Sequence, residues 1–383
     1  MKSDWKRSTL GETCEMYQPK TISAKELVVN GAYPVYGANG VIGRYDKFNH
    51  EDAQLLITCR GATCGTVNIS EPRSWVTGNA MVVRPKVATI DMRFLEYLFR
   101  GGIDISRAIT GAAQPQITRT NLEPLEITYP TQLEEQQRIV AILDEAFEAI
   151  ATAKANAEKN LQNSRAIFES HLQSVFNQRG PGWVETKLGD EIELLVGFAF
   201  KSAQYTNSKK SVRLLRGDNI VPGAIRWEDV KKWPESDVTE YSRFQLCKGD
   251  VVLAMDRPWI KAGLKHAMIS EKDLPSLLVQ RTACMRVGED LDNRFLIFLI
   301  GSSEFTTHIL GIQTGIGVPH ISGQQIKDFI FQRPPIKEQR QIATILDRLR
   351  QETQRLASLY ERKLAALDDL KKSLLHQAFT GQL

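Results

Sequence analysis

Residues 132–178 contain neither glycine nor proline, and apolar side chains return at 139, 142/143, 146, 150, 153, 157, 161, 167/168, 172 and 175. Residues 337–380 repeat the pattern at 342, 345/346, 349, 356, 359/360, 364, 367, 370, 374 and 378. Steps of three and four sustained over six heptads predict two long helices, each with a seam facing a partner. At ~1.5 Å per residue, about 45 residues make a rod of roughly 65–70 Å, longer than a small domain. That length argues against two separate amphipathic helices, each packed only on its own domain. The remaining chain is patterned differently. Short apolar runs at 54–59, 80–84, 250–254 and 282–287 read as strands, and Gly-rich turns at 36–40 and 248–250 punctuate them. Helical patterns are brief there, around 91–100 and 292–310. The segments 1–131 and 179–336 are therefore expected to be mixed α/β.

The pattern occurs twice. EQQRIVAILD at 135–144 returns as EQRQIATILD at 338–347, and GAAQPQIT at 111–118 as GIGVPHIS at 315–322. Trp5, Leu10, Gly11 and Glu12 correspond to Trp183, Leu188, Gly189 and Asp190. Leu172, Val175 and Phe176 fall on Leu375, Ala378 and Phe379, and four matches in one order make chance implausible. The predicted organisation is a globular segment 1–131, a helix 132–178, a second globular segment 179–336 and a second helix 337–383. The expected fold is two similar α+β domains separated by two long helices packed as an antiparallel coiled coil, with a pseudo-two-fold internal repeat. Antiparallel pairing is the simplest closure for a repeat with a whole domain between its helices.

Charge sharpens this picture. The chain of 383 residues carries 49 Lys+Arg against 45 Asp+Glu. Residues 132–178 hold four basic and seven acidic residues, and residues 337–383 hold nine and six. Nets of −3 and +3 on two similar rods favour pairing with each other. Each globular segment is +2, with 15 against 13 and 21 against 19. No uncharged run is long and apolar enough to span a membrane. The first residues lack the apolar stretch of a signal peptide, and five scattered cysteines fit reduced thiols, so a cytoplasmic location is expected.

Catalytic patterns are scarce. No Gly-Lys dipeptide exists, so no phosphate-cradling loop can form, and no G-x-G-x-x-G follows a strand. Pro334-Pro335 follows Arg333 and does not form the Asn/Asp-Pro-Pro-aromatic element that grips a flipped base. Glu185-Thr186-Lys187 has a nuclease-like spacing without the preceding Pro-Asp and reads as chance. Cys59 and Cys64 lack a second pair, and the six histidines are scattered, so no metal site is expected. Recognition chemistry is better represented. Asn39, Arg44 and Lys47 follow the first Gly-rich turn, Arg60 sits at a strand end, and Gln114, Gln116, Thr118 and Arg119 surround Pro115. Their counterparts are Arg216, Asn219, Arg257, Lys261, Lys265, His320 and Gln324. Arg holds guanine and Asn or Gln holds adenine through paired hydrogen bonds, while Lys and Thr position phosphates.

Several motifs stand in one order: W-x-x-x-x-L-G, Tyr36 to Gly43, Gln114 to Thr118, Leu133 to Asp144, and the closing Leu370 to Gly381. Together they resemble the specificity (S) subunit of type I restriction–modification systems, the HsdS family, over essentially the whole chain. The resemblance implies a non-catalytic reader of double-stranded DNA with two target-recognition domains, each reading half of a bipartite asymmetric site. It implies helices that set the unread gap and dock two modification (methyltransferase) subunits, with restriction (translocase/endonuclease) subunits able to join. No cofactor is then expected on this chain; S-adenosylmethionine, ATP and Mg2+ belong to the partners. The second half departs from the pattern at Gly315–His320, where His320 replaces Gln116. Two other readings remain open at this level: a coiled-coil scaffold whose globular segments bind proteins, and an enzyme with an unfamiliar site.

Overall fold

A computed structural model describes residues 4–86, 88–312 and 319–383. It divides into two compact units, Met1–Lys159 with Tyr360–Leu383, and Asn160–Leu359. Each unit combines one globular segment with the first part of one long helix and the last part of the other.

The first unit runs β1 (Trp5–Thr9), α1 (Leu10–Thr13), β2 (Cys14–Tyr17), β3 (Tyr33–Tyr36), β4 (Val41–Tyr45), β5 (Leu55–Thr58), β6 (Val67–Ile69), β7 (Trp75–Val76), β8 (Ala80–Pro85), α2 (Met92–Tyr97), α3 (Arg119–Leu122) and β9 (Glu126–Pro130). It then enters α4 (Leu133–Phe176). Its main sheet is antiparallel in the order β2-β8-β5-β6, beside a mixed sheet β4-β3-β7. The apolar runs of β5 and β8 are continuous because both faces are covered. Leu55, Ile57, Met81 and Val83 face the core under α2, while Leu56 and Val82 pack with Tyr36 and Val76.

The second unit contains β10 (Val184–Lys187), α5 (Leu188–Glu191), β11 (Ile192–Val196), β12 (Ser211–Leu215), β13 (Ile220–Val221), β14 (Ala224–Ile225) and β15 (Lys232–Pro234). It continues with β16 (Val251–Ala254), β17 (Trp259–Ile260), β18 (Gly263–Leu264), β19 (His266–Met268), β20 (Ser276–Leu278) and β21 (Thr282–Val287). After α6 (Asn293–Ile300), α7 (Ser303–Ile312), α8 (Gly323–Lys327) and β22 (Ile330–Arg333) comes α9 (Ile336–Phe379). The order β11-β21-β16-β19 reproduces β2-β8-β5-β6, and β15-β12-β20 reproduces β4-β3-β7 with the same polarities. The internal repeat is thus a repeat of architecture.

The helices dock by a shared device. Gln136 is fully buried; its carbonyl oxygen accepts from the Asp91 N–H at 2.8 Å, and its amide donates to the Thr89 and Pro130 carbonyls, both at 2.7 Å. Gln339 does the same, accepting from the Asp292 N–H and donating to the Asp290 and Pro334 carbonyls. Further along each helix, Arg93 pairs with Asp144 and Arg294 with Asp347, each at 2.6 Å. Within each unit the two helix portions run antiparallel. Leu143 shares a core with Leu375 and Ala378, and Lys154 pairs with Asp368 at 2.6 Å. Leu172 shares a core with Ala343 and Leu346, and Phe168 and Arg350 both lie against Phe298. Gly101 and Gly102 admit the end of α9 closely, since a Cβ there would stand 2.7 Å from Leu375 and 2.6 Å from Phe379.

Candidate nucleic-acid interface

Three segments converge at the end of β5 in the first unit. The Cys59 N–H donates to the Asn79 carbonyl at 3.1 Å, and the Ile117 N–H donates to the Cys59 carbonyl at 2.8 Å. Gly61 N–H donates to the Pro115 carbonyl at 3.1 Å, and Arg60 faces Gln116 across a one-residue antiparallel bridge. The end of β16 repeats each bond. Met255 N–H donates to the Arg281 carbonyl at 2.9 Å, Ile321 N–H to that of Met255 at 3.0 Å, and Arg257 N–H to that of Pro319 at 2.7 Å, while Asp256 faces His320. Proline lacks an N–H, so Pro115 and Pro319 enter the junction through their carbonyls alone. Arg60 thus corresponds to Asp256, Gly61 to Arg257, Asn79 to Arg281, and Gln116 to His320.

The second junction holds a strained position. Gly61 has φ +87°, a left-handed conformation that costs glycine little. Arg257 occupies the equivalent place at φ +45°, and Arg281 also lies left-handed at φ +65°. For a residue with a Cβ this costs about 1 kcal/mol or more, and such strain gathers at functional sites.

Around the first junction the structure gathers Arg60, Gln114 and Gln116, all exposed. Asn39 joins them: the Thr58 hydroxyl donates to the Ala38 carbonyl, and Asn39 accepts from Asn68 at 3.1 Å. Thr118 sits beside them, but its hydroxyl caps α3 by accepting from the Asn121 N–H, and Arg119 pairs with Glu123 at 2.7 Å. Arg44 and Lys47 lie toward the other end of the β3–β4 hairpin. The Arg44 guanidinium is held by the Gly31 and Ala32 carbonyls, at 2.6 and 2.7 Å, and so braces a loop. Lys47 is exposed.

In the second unit Arg216, Arg257 and Lys265 line one cleft of about 420 Å³ with Asp218, Asp256 and Arg281. Four cations face two carboxylates there, so the cleft is positive although the globular segment 179–336 is nearly balanced. Lys265 is only 8% exposed. Burial holds its ammonium below the usual lysine range; Asp218 and Asp256 oppose the shift, and Arg257 adds to it. His320 is held by Asp256 at 2.6 Å, with an Arg281 guanidinium nitrogen 3.3 Å from its ring. Arg216 reaches Asp218 at 3.1 Å. Lys261 is exposed on the β17–β18 hairpin, and Gln324, on α8, donates to Asp328 at 3.1 Å. Asn219 requires correction as a base-reading candidate. It is 5% exposed, accepts from the Arg216 N–H and donates to the Arg226 carbonyl, so both ends of its amide hold a turn. Of the departure at Gly315–His320, residues 315–318 lie outside the described residues.

Sequence reasoning passed over Asn79, Asp256 and Arg281. The signal was available: aligning Ala80–Pro85 with Thr282–Val287 puts Asn79 on Arg281, each the last residue before its strand. The other chemistry resolves into structure. Glu185 accepts from Gln332, and Lys187 lies 3.6 Å from Asp328. Cys59 is buried, which pushes its thiol up to about 11, and Cys64 is half-buried. Among the described residues no cluster of His, Cys, Asp and Glu could hold a metal ion, and no helix is long and apolar enough to cross a membrane.

Comparison with known proteins bears on what such a paired junction belongs to. The type I restriction enzyme EcoAI specificity subunit of Escherichia coli is 37% identical over 176 residues, which are 46% of this chain and 29% of that protein. The match therefore spans less than a third of that relative's own length. The MjaVIII specificity subunit of Methanocaldococcus jannaschii is 23% identical over 99% of this chain and 93% of its own. Among solved structures, a chain from a type I R-M system studied for complex assembly and conformational transition superposes with TM-score 0.77 at 16% identity, covering 100% of this chain and 99% of that one. The HsdS subunit from Thermoanaerobacter tengcongensis superposes with TM-score 0.64 at 18% identity, over 100% and 98%. At these identities the two structures speak for the fold. The family model of the type I restriction modification DNA specificity domain matches this sequence twice, over residues 2–162 and 181–361. With both repeats matched, the chain belongs to the type I restriction–modification DNA specificity family.

Proposed function

We propose that this chain is the non-catalytic DNA-reading subunit of a type I restriction–modification complex, each unit reading one half of a bipartite, asymmetric site on double-stranded DNA. The observation that carries the reading is the duplicated junction: one backbone scaffold, built twice, presents Arg60 and Gln116 in one unit and Asp256, Arg281 and His320 in the other. A fixed frame with changed side chains is what reading two different half-sites requires, because base identity is read by side-chain hydrogen bonds while phosphate contacts only position. Of the candidates, Asn39, Arg60, Gln114, Gln116, Arg257 and His320 face this task. Lys47, Lys261 and Lys265 serve phosphates, while Arg44, Thr118 and Asn219 support the loops. Membership of the specificity family leaves the scaffold reading without support.

The long helices then act as spacer and docking surface. Two methyltransferase subunits bind there, and restriction subunits join the complex in the cytoplasm; S-adenosylmethionine, ATP and Mg2+ are used by these partners. The test is to reconstitute the chain with the methyltransferase subunit of its own system and sequence the methylated positions. A single bipartite motif with a constant gap is expected, with affinity falling steeply as salt rises. Methylation without a defined motif, or a continuous unsplit motif, rejects the reading.

A further inference from the structure

If each unit reads DNA as proposed above, the paired junctions specify where in each unit the sequence is read. The two junctions share four backbone relations, so their side chains can be compared position by position as if one domain had been mutated into the other. Buried positions around them keep their character, Ile117 corresponding to Ile321 and Cys59 to Met255, and Pro115 recurs as Pro319. The outward positions do not. Arg60 becomes Asp256, Asn79 becomes Arg281, and Gln116 becomes His320. Stability explains the constancy of the first set. It does not explain a change from a cation to a carboxylate, or from an amide to a guanidinium, at outward places on an unchanged frame.

In the second unit these three side chains form one network. Asp256 accepts from His320 at 2.6 Å and lies 3.7 Å from the Arg281 Nε, while an Arg281 Nη stands 3.3–3.4 Å from the two His320 ring nitrogens. The Arg281 side chain is nonetheless 59% exposed. Asp256 and His320 thus orient its guanidinium while leaving it accessible, the arrangement a guanine-reading arginine needs. In the first unit the matching place holds Asn79, exposed like Arg60 and Gln116, with no carboxylate at position 60 to steer a cation.

We propose that the position occupied by Asn79 in one unit and Arg281 in the other determines half-site specificity: Arg281, positioned by Asp256 and His320, reads a guanine, and Asn79 reads an adenine. The experiment uses the full chain in complex with the methyltransferase subunits of its own system and maps methylated positions for Arg281→Ala, Arg281→Lys and Asn79→Ala. Alanine cannot form the paired hydrogen bonds with guanine, so discrimination falls by about 10- to 100-fold at one base pair in Arg281→Ala, and lysine, without the rigid planar fork, restores it only in part. The relaxed position should be a G·C pair in one half-site only, and Asn79→Ala should relax an A·T pair in the other half-site only. Lysine keeps the charge but lacks the fork, so Arg281→Lys separates base reading from phosphate binding and guards against an alanine variant that fails to fold. Unchanged motifs in Arg281→Ala and Asn79→Ala overturn the assignment. So does an Arg281→Lys complex that behaves as wild type while Arg281→Ala loses methylation evenly at every site, since that pattern marks a phosphate contact. A wild-type complex that methylates no defined motif overturns instead the DNA-reading function on which the assignment rests.

Discussion

Gln136 and Gln339 carry more of the helix docking than the ion pairs beside them. The Arg93–Asp144 pair is about half exposed on both sides, and a pair so placed contributes at most ~1 kcal/mol. Each glutamine satisfies three backbone groups around a fully buried amide, and leaving such groups unpaired costs about 1–3 kcal/mol apiece. Gln136→Ala and Gln339→Ala are therefore expected to destabilise by about 2–4 kcal/mol each, read from urea midpoints, whereas exposed Gln137→Ala leaves the midpoint unchanged. Equal midpoints for Gln136→Ala and Gln137→Ala would remove the clamp from the account. At this scale the sequence shows residue types but not their assignments. Asn219 and Asn39 are both asparagines beside turn glycines, yet one is buried in its own turn and the other exposed.

At the scale of elements, the helices were the most legible part of the chain, because a heptad is a local pattern. The buried column of α4 runs Gln136, Leu143, Ile150, Ala157 and Ser164, seven residues apart throughout, and ends in small side chains where a helix can be approached closely. Opposite net charges were a weaker guide. The Lys154–Asp368 ion pair places the cation on the acidic helix and the anion on the basic one, so this contact does not follow the net charges, while the apolar seam joins the same helix portions. If the helices set the unread gap in the DNA, seven residues inserted after Lys159 and after Leu359 together preserve the heptad register and add roughly 10 Å. That length is about three base pairs at 3.4 Å each. The methylated motif should keep both half-sites and gain about three unread positions; an unchanged gap would disprove the spacer role.

At the scale of the molecule, the first strand and the end of α9 meet within one unit. Trp5 and Leu383 pack on the same core, a Cβ on Gly381 would stand 3.7 Å from the Trp5 ring, and Arg138 donates to the Leu383 carbonyl at 3.0 Å. Residues 177–182, between α4 and β10, are mostly exposed. A chain recut to begin at Trp183, with Leu383 joined to Met1 through a short linker, should fold and direct methylation to the same motif, since breaks at exposed joints are tolerated. Loss of a folded, methylation-competent complex would count against the repeat as the organising unit.

The sequence by itself determined the period-seven helices, the duplication and the absence of familiar catalytic patterns, because each is written in local spacing. It also located the junction loops through Pro115 and Pro319. Only the tertiary structure decided which loop residues stand together at the junctions. Asn79 and Arg281 lie far along the chain from Gln116 and His320, and backbone hydrogen bonds between strand ends bring each pair to one place. Whether an exposed-type side chain is left accessible, as Arg281 is, or drawn into its own turn, as Asn219 is, depends on which partners the fold places within hydrogen-bonding reach. No spacing along a strand encodes that distance.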